Sequence, residues 1–436
     1  PDGGGLGGDP LSPWESYRVY YETETATVTT NSPYFDHVEY GELGTNITTQ
    51  VTISNLAFGS TYNMALGAID EAGNIGPLSG VWQVNTLAFN LTQAVTRVGS
   101  TLLTNSAFLS WTVALDELSD PMPRAVDLIY VDAASFTDSL TNLWALQQTV
   151  YDADANTIVS NLNIQAGMTR FFRAAIGTSW TTNRTPRAAS KEVWGLRPVN
   201  LYPGQNWVSL FGRPYTNTVI DLIGNHLPAG SSASSPDATK ISWYARAVGT
   251  APNWWVPTQQ VALVSGTPAY WEKTLGGTTL SGNSIPIPLN DAFVVEIPTS
   301  SVMQTIYLVG RVPTNTEYQT IQGGAARNLI SMNLPYAMHP SQMGLTNSGS
   351  LFVGGLFPPQ SCQLWKYDRA NQRAPYAVWL RSSDKTWRLT SAGFPLVPAG
   401  YFSSDDGIYL FTTNAASSFV VAPPLPYTEP TTRMTP

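Results

Sequence analysis

The sequence predicts an all-β fold: tandem β-sandwich domains followed by two duplicated β-rich modules. Three observations predict it. Short runs alternate apolar and polar residues with a period of two, as at Tyr17, Val19 and Tyr21 and again at Tyr62, Met64, Leu66 and Ala68. Clusters of Gly, Pro, Asn and Ser interrupt these runs at short intervals, the punctuation expected of turns between strands. Amphipathic stretches long enough for a helix are scarce. The best, Ser135–Gln148 with Leu140, Leu143 and Leu146, reads as a short helix or an irregular crossover.

With 436 residues the chain is too long for a single core, and its 43% hydrophobic and 11% aromatic content supplies material for several. Only 12% of residues are charged, against about 25% in an ordinary soluble domain. A weakly charged chain rich in Thr, Ser, Asn, Gly and Pro is expected outside the cytosol, in an extracellular or cell-surface setting. The formal charge is −8 with no run of Lys or Arg, so nucleic acid is not an expected partner. No stretch of about 18 apolar residues occurs, and no spanning helix is expected. The opening Pro1-Asp2-Gly3-Gly4-Gly5 carries no signal peptide, as expected of a processed chain or a fragment. Cys362 is the sole cysteine, which excludes an intramolecular disulfide and reads as a small buried hydrophobe.

The first module spans residues 1–87. Leu56-Ala57-Phe58-Gly59-Ser60-Thr61-Tyr62 places a Leu six residues before a Tyr, Ala68 to Asn74 reads as a strand end and turn, and Ser79 to Thr86 as a last strand. With Ser16 to Tyr21 these segments resemble strands C, F and G of a fibronectin type III domain and its E–F corner. The resemblance implies a sandwich in which the Tyr62 hydroxyl ties the corner to the backbone. Strands A and B have no counterpart in Pro1–Trp14. That departure is read as truncation, as a reduced sandwich, or as an edge completed by a strand from a neighbouring subunit.

The second module, residues 88–198, resembles a fuller copy. Phe108 to Val113 matches strand B with its core Trp111, Val126 to Val131 strand C, Arg170 to Ala174 strand F and Ser190 to Trp194 strand G. Its corner has no Tyr and offers Phe171 one step out of place. The rest is a duplication, read as modules 199–322 and 323–424. Asn206-Trp207-Val208-Ser209-Leu210 recurs as Asn328-Leu329-Ile330-Ser331-Met332. Trp243 then corresponds to Trp365, Trp271 to Trp387, and Pro288-Leu289 with Ala292-Phe293 to Pro395-Leu396 with Ala399 and Tyr401. Terminal apolar strands at Ile306–Val309 and Ile408–Phe411 complete the pairing. This half loosely resembles the C-terminal repeats of large bacterial surface proteins. A Pro-rich tail, residues 425–436, is expected to be extended, as a linker or as an arm docking on a neighbour.

No residue pattern points to catalysis, a cofactor or a metal. His37, His226 and His339 fall in separate modules without metal-ligand spacing. Asp152-Ala153-Asp154-Ala155-Asn156 starts like a calcium loop but lacks the sixth-position Gly and the acidic twelfth residue. Asp405-Asp406 and Asp70-Glu71 are adjacent, which in a strand sends them to opposite faces and in a turn leaves them solvated. Of fourteen tryptophans, Trp14, Trp254 and Trp255, with Tyr427 of the tail, are the candidate assembly or ligand surface. The expected function is non-enzymatic: a self-assembling subunit of a surface filament, sheath or layer, joined to copies of itself by strand addition or tail docking. The alternatives are an adhesin or carbohydrate-binding protein with polysaccharide or cell-surface partners, and an accessory region of a secreted hydrolase.

Overall fold

A computed structural model describes residues 16–23, 26–36, 56, 61–69, 74–85, 89–95, 97–98, 101–103, 105–113, 126–137, 144–150, 156–176, 188–244, 247–248, 257–275, 278–316, 318–322, 326–346, 352–374, 377–413, 419–421 and 425. The fold is all-β, a series of antiparallel sheets. In the first module β1 (Ser16–Thr23), β2 (Tyr34–Asp36), β3 (Thr61–Ile69) and β4 (Trp82–Asn85) form one sheet in the order β2-β1-β3-β4. Both faces carry apolar groups. Val19, Tyr62 and Met64 gather on one with Leu56 and Val84, and Tyr20 and Ala65 gather on the other with Val28, Ile75 and Leu78. Leu56 thus packs against the cluster that holds Tyr62, while residues 57–60 and 70–73 lie outside the described residues.

The second module is a two-sheet sandwich. Its strands are β5 (Phe89–Val95), a small β6–β7 hairpin (Arg97–Val98 and Thr101–Leu102), β8 (Ala107–Val113), β9 (Val126–Ala133) and β10 (Ala145–Val150). They continue with β11 (Asn156–Val159), β12 (Thr169–Ile176), β13 (Ala188–Ala189) and β14 (Trp194–Leu201). A three-stranded sheet β11-β8-β5 faces a sheet that begins β10-β9-β12-β14. Leu91, Leu109 and Trp111 from the first meet Leu128, Phe172, Trp194 and Leu196 from the second, which is the two-face burial that period-two patterning demands. Of the segment expected as a short helix or an irregular crossover, residues 138–143 lie outside the described residues and residues 145–150 form β10, an edge strand whose backbone pairs with β9 through a bulge between Leu146 and Gln148. Phe171 does not serve the corner either. It points to the opposite face, against Phe136 and Phe211, and Arg170 occupies the inward position, forking onto Asp132 at 2.7 and 2.5 Å.

The C-terminal half folds as two copies of one plan. The first copy takes β14 and adds β15 (Gly204–Val208), α1 (Val219–Ile223), β16 (Lys240–Trp243) and β17 (Ala247–Val248). It continues with β18 (Gln259–Val264), β19 (Tyr270–Leu275), β20 (Thr278–Ser281), β21 (Phe293–Ile297) and β22 (Gln304–Arg311). The second copy comprises β23 (Gln319–Ile321), β24 (Ala326–Ile330), β25 (Gln363–Lys366), β26 (Val378–Leu380), β27 (Trp387–Leu389), β28 (Ile408–Phe411) and β29 (Phe419–Val421). Strand order β15-β21-β16-β18-β19 in one sheet matches β24-β28-β25-β26-β27 in the other, and the β14–β22 pair matches β23–β29.

The registers refine the correspondences read from sequence. Trp271 and Trp387 are equivalent, each opposite a Leu of the preceding strand (Leu263 and Leu380). Trp243 and Trp365 are not: Ile241 lies opposite Val295 and Leu364 opposite Leu410, so Trp365 shares its place with Ser242. Equal spacing in the sequence therefore conceals a one-residue slip, which turns Trp243 into the main core and Trp365 to the other face. The strand equivalent to Ile408–Phe411 is β21, not Ile306–Val309. Pairing of Ala292 with Leu329 and Gly407 with Trp207 likewise replaces the Ala292–Ala399 correspondence. Cys362 is fully buried in the main core, and Leu425 of the tail packs against that same core.

The copies hold each other reciprocally. Val208 bridges to Asp406 as Ile330 bridges to Asp291. Ser209 N–H donates to Asp405 O (3.0 Å) as Ser331 N–H donates to Asn290 O (3.2 Å), and the Ser209 and Ser331 hydroxyls meet at 2.5 Å. A contact of i with j′ matched by j with i′ is the signature of an isologous, two-fold interface.

β14 also ties the repeats to the sandwich. Its first residues pair with β12, and all eight pair with β22. Gly195 and Gly310 lie opposite each other in that ladder, where the chain at Phe211 crosses it. A Cβ on Gly310 would overlap the Phe211 carbonyl oxygen and lie 2.8 Å from its carbon, and backbone cannot swing aside as a side chain can. Gly310→Ala is expected to lower stability by about 2–3 kcal/mol, read as a fall in the urea midpoint. Gly80→Ala, with nothing within 4 Å of its Cβ, is the neutral control.

Candidate functional site

The richest side-chain chemistry lies where the sandwich and both repeats meet. Arg197 of β14 donates from Nε to Asp405 Oδ1 (2.8 Å), from Nη1 to Gly167 O and Thr169 Oγ1 (both 3.1 Å), and from Nη2 to Ser403 Oγ (2.9 Å). Asp405 also receives Arg369 Nη2 on its other oxygen. Asp406 accepts Ser403 N–H (2.8 Å) and lies 3.6 Å from Arg369 and 3.7 Å from Lys366. Arg197, Asp405 and Asp406 are 3%, 4% and 8% exposed, so the pair read as solvated turn charges is interior. The turn that carries Asp405 and Asp406 is pinned against the other repeat through the Ser209 and Val208 contacts, which withdraws both carboxylates from water.

The two carboxyls titrate in opposite senses. Burial alone would raise Asp405, but the guanidiniums of Arg369 and Arg197 outweigh it and hold the group well below the usual carboxylate range. Asp406 is pushed up, first by burial and then by the charge of Asp405. The Lys366 ammonium donates to Tyr401 O and sits 4.3 Å above the Tyr401 ring, whose hydroxyl is pushed up to about 12 by burial and the nearby Asp406.

Above this network opens a cleft of about 360 Å³. Its floor is the β14–β22 ladder, with Asn200 opposite Thr305 and Pro198 opposite Tyr307. One wall is the sandwich corner at Ile164–Gly167, and the other is Arg369, Ser403 and Asp405 of the second repeat. The Nη1 of Arg369 has no hydrogen-bond partner among the described residues. Sequence reasoning missed this site because its members are scattered between positions 164 and 405. The one available signal was the concentration of acidic residues in the short Asp405-Asp406 turn of a weakly charged chain.

Trp14, Trp254, Trp255 and Tyr427 all lie outside the described residues, as do His37 and Asp152–Ala155. His226 Nε2 meets Thr305 O at 3.1 Å, and His339 caps the short helical turn Pro340–Gln342, so these two do not converge. Trp271, Trp379 and Trp387 are buried.

Replacing Asp405 by Asn leaves two interior guanidiniums without their shared carboxylate, and a loss of about 3–5 kcal/mol is expected in urea unfolding. Asp406→Asn removes a carboxyl whose ionisation the fold opposes, and a much smaller change is expected. A depressed folded pKa means that the Asp405 contribution is complete above the unfolded value of about 3.9 and is lost as pH falls below it. The wild type is therefore expected to lose more stability than Asp405→Asn between about pH 4 and pH 2.

No protein-family model matches the chain, and a comparison with curated proteins finds no match.

Proposed function

We propose that this chain is a non-enzymatic structural protein of the extracellular or cell-surface space, a subunit that assembles with copies of itself into a filament, sheath or layer. The observation that carries the reading is the double membership of β14. This strand is at once the last strand of the sandwich sheet and the first of the duplicated half. Modules joined by a shared strand have no linker at which to hinge, and eight residue pairs of the β14–β22 ladder lie across the joint. A load-bearing subunit needs such a joint, whereas a string of independent binding modules does not.

Two further features support it. Charge is low for the size of the chain, so copies can approach closely with little repulsion or salt sensitivity. The sandwich resembles a fibronectin type III domain in pairing a three-stranded sheet with one ordered β10-β9-β12-β14, and β2-β1-β3-β4 follows the same plan in the first module. Strand addition at the first module and docking of the tail are the proposed contacts between copies.

Negative-stain electron microscopy of the purified chain over a concentration series tests the proposal. Regular filaments or sheets that appear with rising concentration are expected. Dispersed particles at every concentration, with a saturable tryptophan fluorescence change on adding polysaccharide, would replace it with an adhesin.

A further inference from the structure

We propose that the cleft above the Arg197–Asp405–Arg369 network binds a carboxylate-bearing sugar, a uronic acid unit of an acidic polysaccharide. The proposal goes beyond self-assembly and stands without it, since every group it uses belongs to one chain. Its volume of about 360 Å³ falls at the small end of the roughly 300–1,000 Å³ typical of small-molecule sites, and its place between modules is where such sites concentrate.

Charge selects an anion. Among the described residues, the cations Arg197, Arg369 and Lys366 pair with the two carboxylates Asp405 and Asp406, a surplus of one positive charge in a partly dry setting. Arg197 has each of its nitrogens engaged, whereas Arg369, which lines the cleft, keeps a buried Nη1 without a partner among the described residues, and a small shift of its side chain would bring that donor to a second carboxylate. The floor selects a sugar ring. Tyr202 and Tyr307 are half-buried and offer aromatic surface to C–H groups. Between them, Thr305 Oγ1 donates to Asn200 Oδ1 at 3.0 Å, which leaves the Asn200 amide nitrogen without a partner among the described residues. An extended acidic peptide fits less well. Strand addition along β22 is opposed because His226 meets Thr305 O and the backbone of Arg311 is already paired with Arg213.

Isothermal titration of the full-length chain, kept dilute so that assembly does not enter the readout, tests this. The probes are trigalacturonate, neutral galactotriose and triglutamate. Saturable binding of trigalacturonate is expected, weakened by added salt and at least roughly tenfold tighter than galactotriose, the worth of one charge-assisted hydrogen bond. Tyr307→Ala, Asn200→Ala and Arg369→Gln are each expected to weaken it roughly tenfold or more. Arg369 is interior and Tyr307 packs against the sandwich core, so both variants need a folding check by thermal melt, whereas Asn200→Ala replaces a half-buried residue of the ladder. Absence of saturable binding, equal affinity for galactotriose, or unchanged affinity in Tyr307→Ala and Asn200→Ala would overturn the proposal. Triglutamate binding as tightly as trigalacturonate would make the cleft a peptide carboxylate site and overturn it equally.

Discussion

Asp405 is held by two arginines that come from different parts of the chain, Arg197 from the sandwich-to-repeat strand and Arg369 from the second repeat. Each guanidinium alone in the interior is costly, and so is the carboxylate. Together they neutralise one another and satisfy most of their donors locally. The geometry that permits this needs β14 seated against the Asp405 turn, and it needs the Asp405 turn seated against the first repeat. Hydrophobic burial is indifferent to small shifts between packed faces, while a forked arginine is not. The network therefore sets how the three bodies meet, and the apolar core fills in around that choice.

A reciprocal lock between the copies works alongside the network. The Ser209–Ser331 hydroxyl contact sits where equivalent segments meet, and the matched backbone bonds on either side repeat in mirrored order. The charges break that symmetry. Asn290 and Asp291 of the first copy occupy the places of Asp405 and Asp406, and it is Asp405 that pairs with Arg197 and Arg369. One copy thus carries a single carboxylate in this turn, while its counterpart carries two, collects the cations and opens onto the cleft.

Period-two patterning made the strands legible, and Trp111 and Tyr62 read as core for a sound reason: large side chains in alternating strands have one buried face to occupy. The duplication was legible at Asn206 and Asn328 because each Asn closes a turn with its own backbone, to Tyr202 and Gln322, a local need that the local sequence reports. Register was not. The displacement of Trp365 relative to Trp243 depends on which carbonyl meets which amide across strands far apart in sequence. The interior charges were illegible for the same reason, since a turn reading Asp-Asp is solvated by default and only tertiary contact makes it otherwise. Leu146 shows the converse: in a segment whose spacing reads as a short helix or an irregular crossover, residues 145–150 form a strand because a neighbouring strand offers hydrogen bonds.

The double use of β14 limits how such a chain can be rebuilt by recombination. A crossover placed at an ordinary linker exchanges whole domains and leaves both partners intact. Here a cut on either side of Trp194–Leu201 would strip the last strand from the sandwich or the first strand from the duplicated half. The sandwich and the duplicated half must consequently be inherited, or grafted, as a single cassette.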